Sequence, residues 1–376
     1  MQDIRRGDRG PAVAEVRAVL ATLGMLPAST PHDRYDTECE LAVRAFQQRR
    51  GLSVDGIVGA ETYRAISEAR WRLGDRVLQY AVAHPMVGDD VATLQIRLLE
   101  MGYDAGRADG MFGAKTETAL RAFQRDYGLS PDGSFGPATM RALRQLGRRV
   151  VGGRPQFLRE AVAVAVSGPN LLGKRVVIDP GHGGPDRGVT VGRICEAELV
   201  WDLATRIEGR LAAFGVTVYL TRGPANCPTD LARAQFGNAT GADLLLSLHL
   251  DAHTSPLGNG VATYHFGSGT DAVAGSTIGE RLAGLVHREV VARTGLRDCR
   301  THGKTWELLR MTRMPAVRLE LGYLTNPDDR ARLTDPVCRG VIAEAVLVGV
   351  QRFFLPADVD PPTGTFVMPA TAPAER

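Results

Sequence analysis

Two histidines and two glutamates stand where catalysis could be built. His182 lies in Pro180-Gly-His-Gly-Gly184, directly after the apolar run Arg175-Val-Val-Ile-Asp179. Such a run reads as a buried strand that ends in a glycine-rich loop. His249 falls in the stretch from Asp243 to Ala252, where Leu244, Leu246, Leu248 and Leu250 share one face of a strand. Leu245, Ser247, His249 and Asp251 share the other face. Glu320 lies in Ala316-Val-Arg-Leu-Glu-Leu-Gly-Tyr323, a third strand in which Val317, Leu319, Leu321 and Tyr323 point one way and Arg318 and Glu320 the other. Glu196 opens a helical run to Leu211, with Leu199, Leu203, Ile207 and Leu211 on one face, so it occupies the first turn and can face the sheet. Glu198 is roughly 200° further around that helix and does not share the position.

Hydrolases commonly hold zinc with two histidines and one carboxylate, leaving a fourth position for water. A nearby carboxylate that is not a ligand then relays the proton. Each residue has a plain alternative: a strand histidine packs, and a first-turn glutamate complements the helix dipole. The glycine-rich loop lacks both the Gly-Lys-Ser/Thr ending of a P-loop and the GxGxxG spacing, which excludes a phosphate cradle. Polar residues at strand ends with helices between them predict an α/β domain whose site lies along the strand edge.

The N-terminal half is a repeat. Ala45-Phe-Gln47, Gly51-Leu-Ser53, Asp55-Gly-Ile-Val-Gly59 and Thr62 recur as Ala122-Phe-Gln124, Gly128-Leu-Ser130, Asp132-Gly-Ser-Phe-Gly136 and Thr139, a shift of 77 residues. Upstream, Val13-Ala-Glu-Val16 with Leu20 matches Val91-Ala-Thr-Leu94 with Leu98 at a shift of 78. A period this long with its own glycine turns means two copies of a small domain rather than a solenoid. Helical spacing within each copy gives three short helices.

The repeats resemble peptidoglycan-binding domains of the three-helix type, most fully in the second copy from Leu94-Gln95 through Asp109-Gly-Met-Phe-Gly113 to Thr139. The first copy has His32-Asp-Arg-Tyr-Asp36 where the second has Asp109-Gly-Met-Phe-Gly113, and lacks those glycines. Residues 174–352 resemble zinc-dependent N-acetylmuramoyl-L-alanine amidases of the amidase_3 type. The matching motifs are Val177-Ile-Asp-Pro-Gly-His182-Gly-Gly, Glu196-Ala-Glu-Leu-Val-Trp, Thr221-Arg222, Leu231-Ala-Arg233 with Asn238, Ser247-Leu-His249-Leu-Asp251 and Pro315-Ala-Val-Arg-Leu-Glu320-Leu-Gly-Tyr-Leu-Thr-Asn326. The resemblance implies Zn2+ held by His182, Glu196 and His249, with Glu320 as the catalytic glutamate. It also implies cleavage between N-acetylmuramic acid and the L-alanine of the stem peptide. Arg318 and Asp251 are candidates for substrate contact, Arg318 also for an ion pair, and Arg233 and Asn238 for support around the metal or of the fold.

The expected architecture is a C-terminal α/β, mixed-sheet amidase domain preceded by two small all-α three-helix domains. The expected boundaries are 1–75 for the divergent copy, 76–90 for a connection, 91–147 for the second copy, 148–173 for a linker, 174–354 for the amidase-like domain and 355–376 for a disordered tail rich in Pro, Ala and Thr. In the 376-residue chain, 45 basic against 42 acidic residues leave a net charge of +3, too small and dispersed for nucleic-acid binding. Lysine occurs only at 115, 174 and 304; the other cations are arginine. Cys39, Cys195, Cys227, Cys299 and Cys338 are odd in number with no CxxC pair, which argues against a disulfide framework or thiolate zinc site.

The polar N-terminal segment has no apolar core of a secretory signal, and no stretch approaches the ~20 apolar residues of a membrane span. A cytoplasmic location is the resulting expectation, with the cell envelope as the alternative. Peptidoglycan or a muropeptide is the expected ligand. A second expectation is a cytoplasmic sensor that binds wall fragments or lipid-linked precursor and regulates a partner enzyme, with Thr363, Thr365 and Thr371 accessible to a Ser/Thr kinase.

Overall fold

A computed structural model describes residues 3–27, 33–146, 162, 164, 166–267, 275–356 and 359–368. The chain divides into two compact units, one holding both repeats and the other the α/β domain. Among the described residues no helix is long and apolar enough to cross a membrane. The five cysteines are all free.

In the first repeat α1 (Pro11–Thr22), α2 (Thr37–Arg50) and α3 (Ala60–Ala69) close over Val16, Leu20, Tyr35, Phe46 and Val58. In the second, α4 (Asp89–Glu100), α5 (Ala114–Asp126) and α6 (Pro137–Leu146) close over Leu94, Leu98, Phe112, Phe123 and Phe135. The polar signature of the repeats is a closing device. Gln124 Nε2 donates to Asp132 Oδ1 (2.8 Å), the Ser134 carbonyl (3.0 Å) and Thr139 Oγ1 (3.2 Å), while its Oε1 accepts from Gly133 N (2.9 Å). Gln47 does the same with Asp55, Ile57, Thr62 and Gly56, and Gln95 with Asp109, Met111, Thr116 and Gly110. In the divergent copy Arg17 replaces the Gln95 equivalent: its Nη1 donates to Asp36 Oδ1 (2.9 Å) and the Arg34 carbonyl (3.3 Å). Asp36 also caps α2 through Cys39 N.

The expected connection 76–90 belongs instead to the second repeat. Leu78 is fully buried and pairs with Phe135, as Ile4 pairs with Val58 in the first copy. Val87 bridges to Met111 as Arg9 bridges to Arg34. These short pairings come before each first helix and are too irregular for a period to reveal. The expected linker 148–173 falls largely outside the described residues, as do Pro31 and His32.

The second unit is a six-stranded mixed sheet. Its strands are β1 (Arg175–Pro180), β4 (Thr217–Leu220), β5 (Leu244–Asp251), β6 (Val261–Phe266), β7 (Asp298–Lys304) and β8 (Ala316–Tyr323), in the order β4-β1-β5-β8-β6-β7. A separate two-stranded ribbon joins β2 (Thr190–Val191) and β3 (Ile194–Cys195). β4, β1, β5 and β8 run parallel, and β6 runs antiparallel to β8. Leu244, Leu246 and Leu248 with Val317 and Leu319 share a core with α7 (Glu196–Ala213), α9 (Thr277–Thr294) and α12 (Pro336–Phe354). α8 (Asp230–Thr240), α10 (Glu307–Met311) and α11 (Pro327–Thr334) complete the domain.

Part of the expected disordered tail is ordered. Arg352, buried in α12, donates through Nε to Asp360 Oδ1 (2.7 Å) and through Nη1 to Glu289 Oε1 (2.6 Å) and Thr363 Oγ1 (3.0 Å). Arg293 Nη2 holds the Phe366 carbonyl (2.6 Å). The buried cation needs acceptors, and the residues after Pro356 supply them. Thr363 and Thr365 are therefore engaged, Thr365 with the Pro362 carbonyl (2.7 Å). Residues 369–376, including Thr371, lie outside the described residues.

Candidate metal centre

The parallel strands deliver their C-terminal ends to one edge, where loops diverge and polar groups collect. β1 ends in the His182 loop; β5 carries His249, and β8 carries Glu320 directly opposite His249 in register. Glu196, the first residue of α7, reaches this edge with a side chain only 1% exposed. Its Oε2 lies 3.1 Å from His182 Nε2 and its Oε1 3.0 Å from His249 Nδ1. The three donor atoms lie within 4.8 Å of one another.

Close approach depends on missing side chains. A Cβ at Gly181 would stand 2.1 Å from His249 Cε1, and one at Gly188 would stand 2.5 Å from Glu196 Oε2. Val189 N and Leu250 N both donate to Glu196, at 3.0 and 2.9 Å, and fix the carboxylate. His182 Nδ1 is held by Asp186 Oδ2 at 2.8 Å, which turns Nε2 toward Glu196. No sequence motif points to Asp186. The signal available was its position four residues after His182 in the same glycine-rich loop.

Behind the loop is a buried ionic network. Arg233 Nη1 donates to Asp179 Oδ1 (2.6 Å) and the Pro180 carbonyl (2.9 Å), and its Nη2 donates to the His182 carbonyl (2.9 Å). Arg222 holds the Pro180, Gly181 and Ala197 carbonyls, and Ser247 and Thr221 donate to Asp179. Burial alone would protonate Asp179; Arg233 and the hydroxyls prevail and hold its pKa below the usual range. Asn238 stands apart from the cluster. It ties α8 to the turn after α10 through the Met311 carbonyl (2.9 Å) and Arg313 N (2.7 Å), so it supports the fold rather than the metal position.

Charge within the cluster suits a cation. Burial drives the Glu196 pKa up, but hydrogen bonds from His182 and His249 outweigh it and hold the carboxyl well below its ordinary range. Burial, reinforced by Arg318, pushes His249 down to about 4, leaving a neutral imidazole at neutral pH. Burial lowers His182, yet Glu196 and Asp186 more than compensate and raise it. Glu320 is pushed up to about 7 by burial, against the pull of Arg318. Arg318 Nε donates to Glu320 Oε1 at 2.8 Å, so the two form an ion pair. Glu320 Oε2 is buried without a partner.

Asp251 and Tyr323 depart from simple alternation. The β5–β8 register shifts after His249, so Asp251 faces Tyr323 rather than Gly322. Gly322 has φ +140°, which only glycine adopts readily, and this irregularity turns Tyr323 away from its expected companions Val317, Leu319 and Leu321. Burial raises the Tyr323 hydroxyl pKa, as do the charge of Asp251 and a hydrogen bond to it.

A His–Glu–His donor set beside a buried glutamate, at the strand edge of an α/β sheet, defines a candidate metal-dependent hydrolase centre. Comparison with known proteins makes the class specific. Residues 176–352 match the N-acetylmuramoyl-L-alanine amidase family, and residues 9–66 and 87–143 match a peptidoglycan binding domain. The chain is 51% identical to the N-acetylmuramoyl-L-alanine amidase CwlM of Mycobacterium tuberculosis, over 96% of this chain and 92% of that protein. It is 28% identical to the amidase LytC of Bacillus subtilis, over 49% of this chain and 36% of LytC. The crystal structure of an N-acetylmuramoyl-L-alanine amidase from Clostridium difficile 630 aligns with a TM-score of 0.44 at 29% identity, over 47% of this chain and 94% of that one. The chain belongs to the N-acetylmuramoyl-L-alanine amidase family.

Proposed function

We propose that the protein is a zinc-dependent amidase that hydrolyses the bond between the lactyl group of N-acetylmuramic acid and the L-alanine of the stem peptide. One observation carries the reading: His182, Glu196 and His249 converge beside a buried Glu320 whose Oε2 has no partner. The donor set fits zinc. Two imidazoles and one carboxylate are a set that zinc commonly takes, and one donor atom from each residue lies within 4.8 Å of the others. His182, Glu196 and His249 would hold the ion, which supplies a Lewis acid for the scissile carbonyl and acidifies water.

Glu320 supplies the proton traffic. Its Oε2 accepts a proton from the attacking water and returns it to the alanine nitrogen as the C–N bond breaks, leaving a carboxylate on the lactyl group and a free amine. Burial raises the Glu320 pKa above that of an ordinary carboxylate, which favours return of the proton to the amine. Arg318 fixes Oε1 and so positions the carboxylate; this contact favours a positioning role over direct substrate binding. Arg233 and Asp186 orient the His182 loop and ring. The two repeats would hold the chain on peptidoglycan, with affinity coming from surfaces other than the saturated Gln–Asp–Thr sets.

The test is release of free N-terminal L-alanine peptide from a purified muropeptide by the wild type and by Glu320→Ala. The reading requires turnover in the wild type and its loss in the variant. Equal turnover would remove the assigned role of Glu320. A second reading keeps the same site as a binding site without turnover. In that reading the site binds wall fragments or lipid-linked precursor in the cytoplasm and signals to a partner enzyme. Tight muropeptide binding by zinc-loaded protein without turnover would select it.

A further inference from the structure

A pocket of about 510 Å³ opens where the β5–β6 loop meets the start of β7. Its polar lining includes His253, Asn259, Arg297, Asp298, Arg300 and Tyr323. Arg297 and Arg300 are exposed, and neither guanidinium holds an ion pair or hydrogen bond among the described residues. The one carboxylate in the lining is already committed. Asp298 Oδ1 accepts from His287 Nε2 (2.8 Å) and from Arg300 N (2.7 Å). That second bond holds Arg300 at φ +68°, a conformation uncommon outside glycine. The pocket thus offers two cations that hold no ion pair, the complement of a peptide that carries carboxylates.

Its position connects it to the candidate centre. Tyr323 lies three residues beyond Glu320 on β8, about 10 Å at the ordinary rise of a strand. Asp251, opposite Tyr323 in register, lies two residues beyond His249. An extended peptide covers the same distance in about three residues. We propose that this pocket is the subsite for the carboxylates of the stem peptide beyond L-alanine, and that Arg297 and Arg300 recognise them. The proposal rests on the amidase reading for the register of the substrate.

The experiment separates the two. Calorimetry on the zinc-loaded full chain carrying Glu320→Gln would compare N-acetylmuramoyl-L-alanyl-γ-D-glutamyl-diaminopimelate with the same molecule amidated at its carboxylates. The carboxylate form should bind about 10- to 100-fold more tightly, the range for lost charge-assisted bonds. Arg297→Ala/Arg300→Ala added to that chain should erase the preference, and raised salt should narrow it. Equal binding of the two ligands, or a preference that survives the double substitution, would overturn the subsite. N-acetylmuramoyl-L-alanine amide, too short to reach the pocket, should be hydrolysed equally by otherwise wild-type protein with and without the arginine pair. A carboxylate preference without any hydrolysis would retain the subsite and defeat the amidase reading.

Discussion

Buried polar residues serve opposite ends in the two units. In the repeats, Gln47, Gln95 and Gln124 each use both ends of the amide on an Asp-Gly turn and a threonine. These networks are closed, and closed networks specify a fold. At the strand edge of the α/β domain the polar groups are brought together but left incomplete: three donors surround one position, and Glu320 Oε2 has no partner. Conspicuous polar motifs therefore close hydrogen-bond networks in the repeats and leave one open cluster at the strand edge of the α/β domain. The discriminating feature is whether their hydrogen-bonding capacity is used up.

The largest effect should come from the incomplete cluster. Glu320→Ala should lower muropeptide hydrolysis by about 10²–10⁴ while zinc content, read by elemental analysis, stays at the wild-type level. Loss of zinc in this variant would make Glu320 a ligand and redraw the site. Asp186→Asn should weaken zinc about 10- to 100-fold, the usual scale for a group that orients a metal-bound histidine, as measured by chelator competition. An unchanged affinity would leave Asp186 as a loop residue only.

Arg318 provides a test by pH. Glu320 must be ionised to act as the base, so kcat/KM should fall as pH drops through its pKa, which burial raises and a bound cation would lower. Arg318 favours the ionised form, and Arg318→Met should move that limb to higher pH. A limb that stays in place or moves down would contradict the positioning contact. The smallest effect belongs to the closed networks. Gln124→Ala should cost the second repeat about 1–3 kcal/mol, the cost of stranding buried partners, without altering zinc content. A change in zinc binding would show that the two kinds of network are not separate.

Much of this contrast was legible in the sequence. The leucine alternation around His249 and the apolar run before His182 report strands directly, and the helical spacing after Glu196 puts that carboxylate in a first turn. Other features were hidden because they depend on groups distant in sequence. Leu78 enters the second repeat through an isolated pairing with Phe135, with no period to announce it. Tyr323 changes face because a register shift near Gly322 interrupts the alternation. Residues 359–368 look like a disordered tail by composition, yet Asp360 and Thr363 answer the buried Arg352. Asn238 sits among residues that serve the site but bonds to the backbone at Met311 and Arg313.

The most direct measurement is zinc per chain in the purified wild type and in His182→Ala/His249→Ala, with folding of both checked by circular dichroism. The account predicts about one zinc in the wild type and none in the folded double variant. A double variant that still carries a full equivalent would place the metal elsewhere and contradict the centre described here.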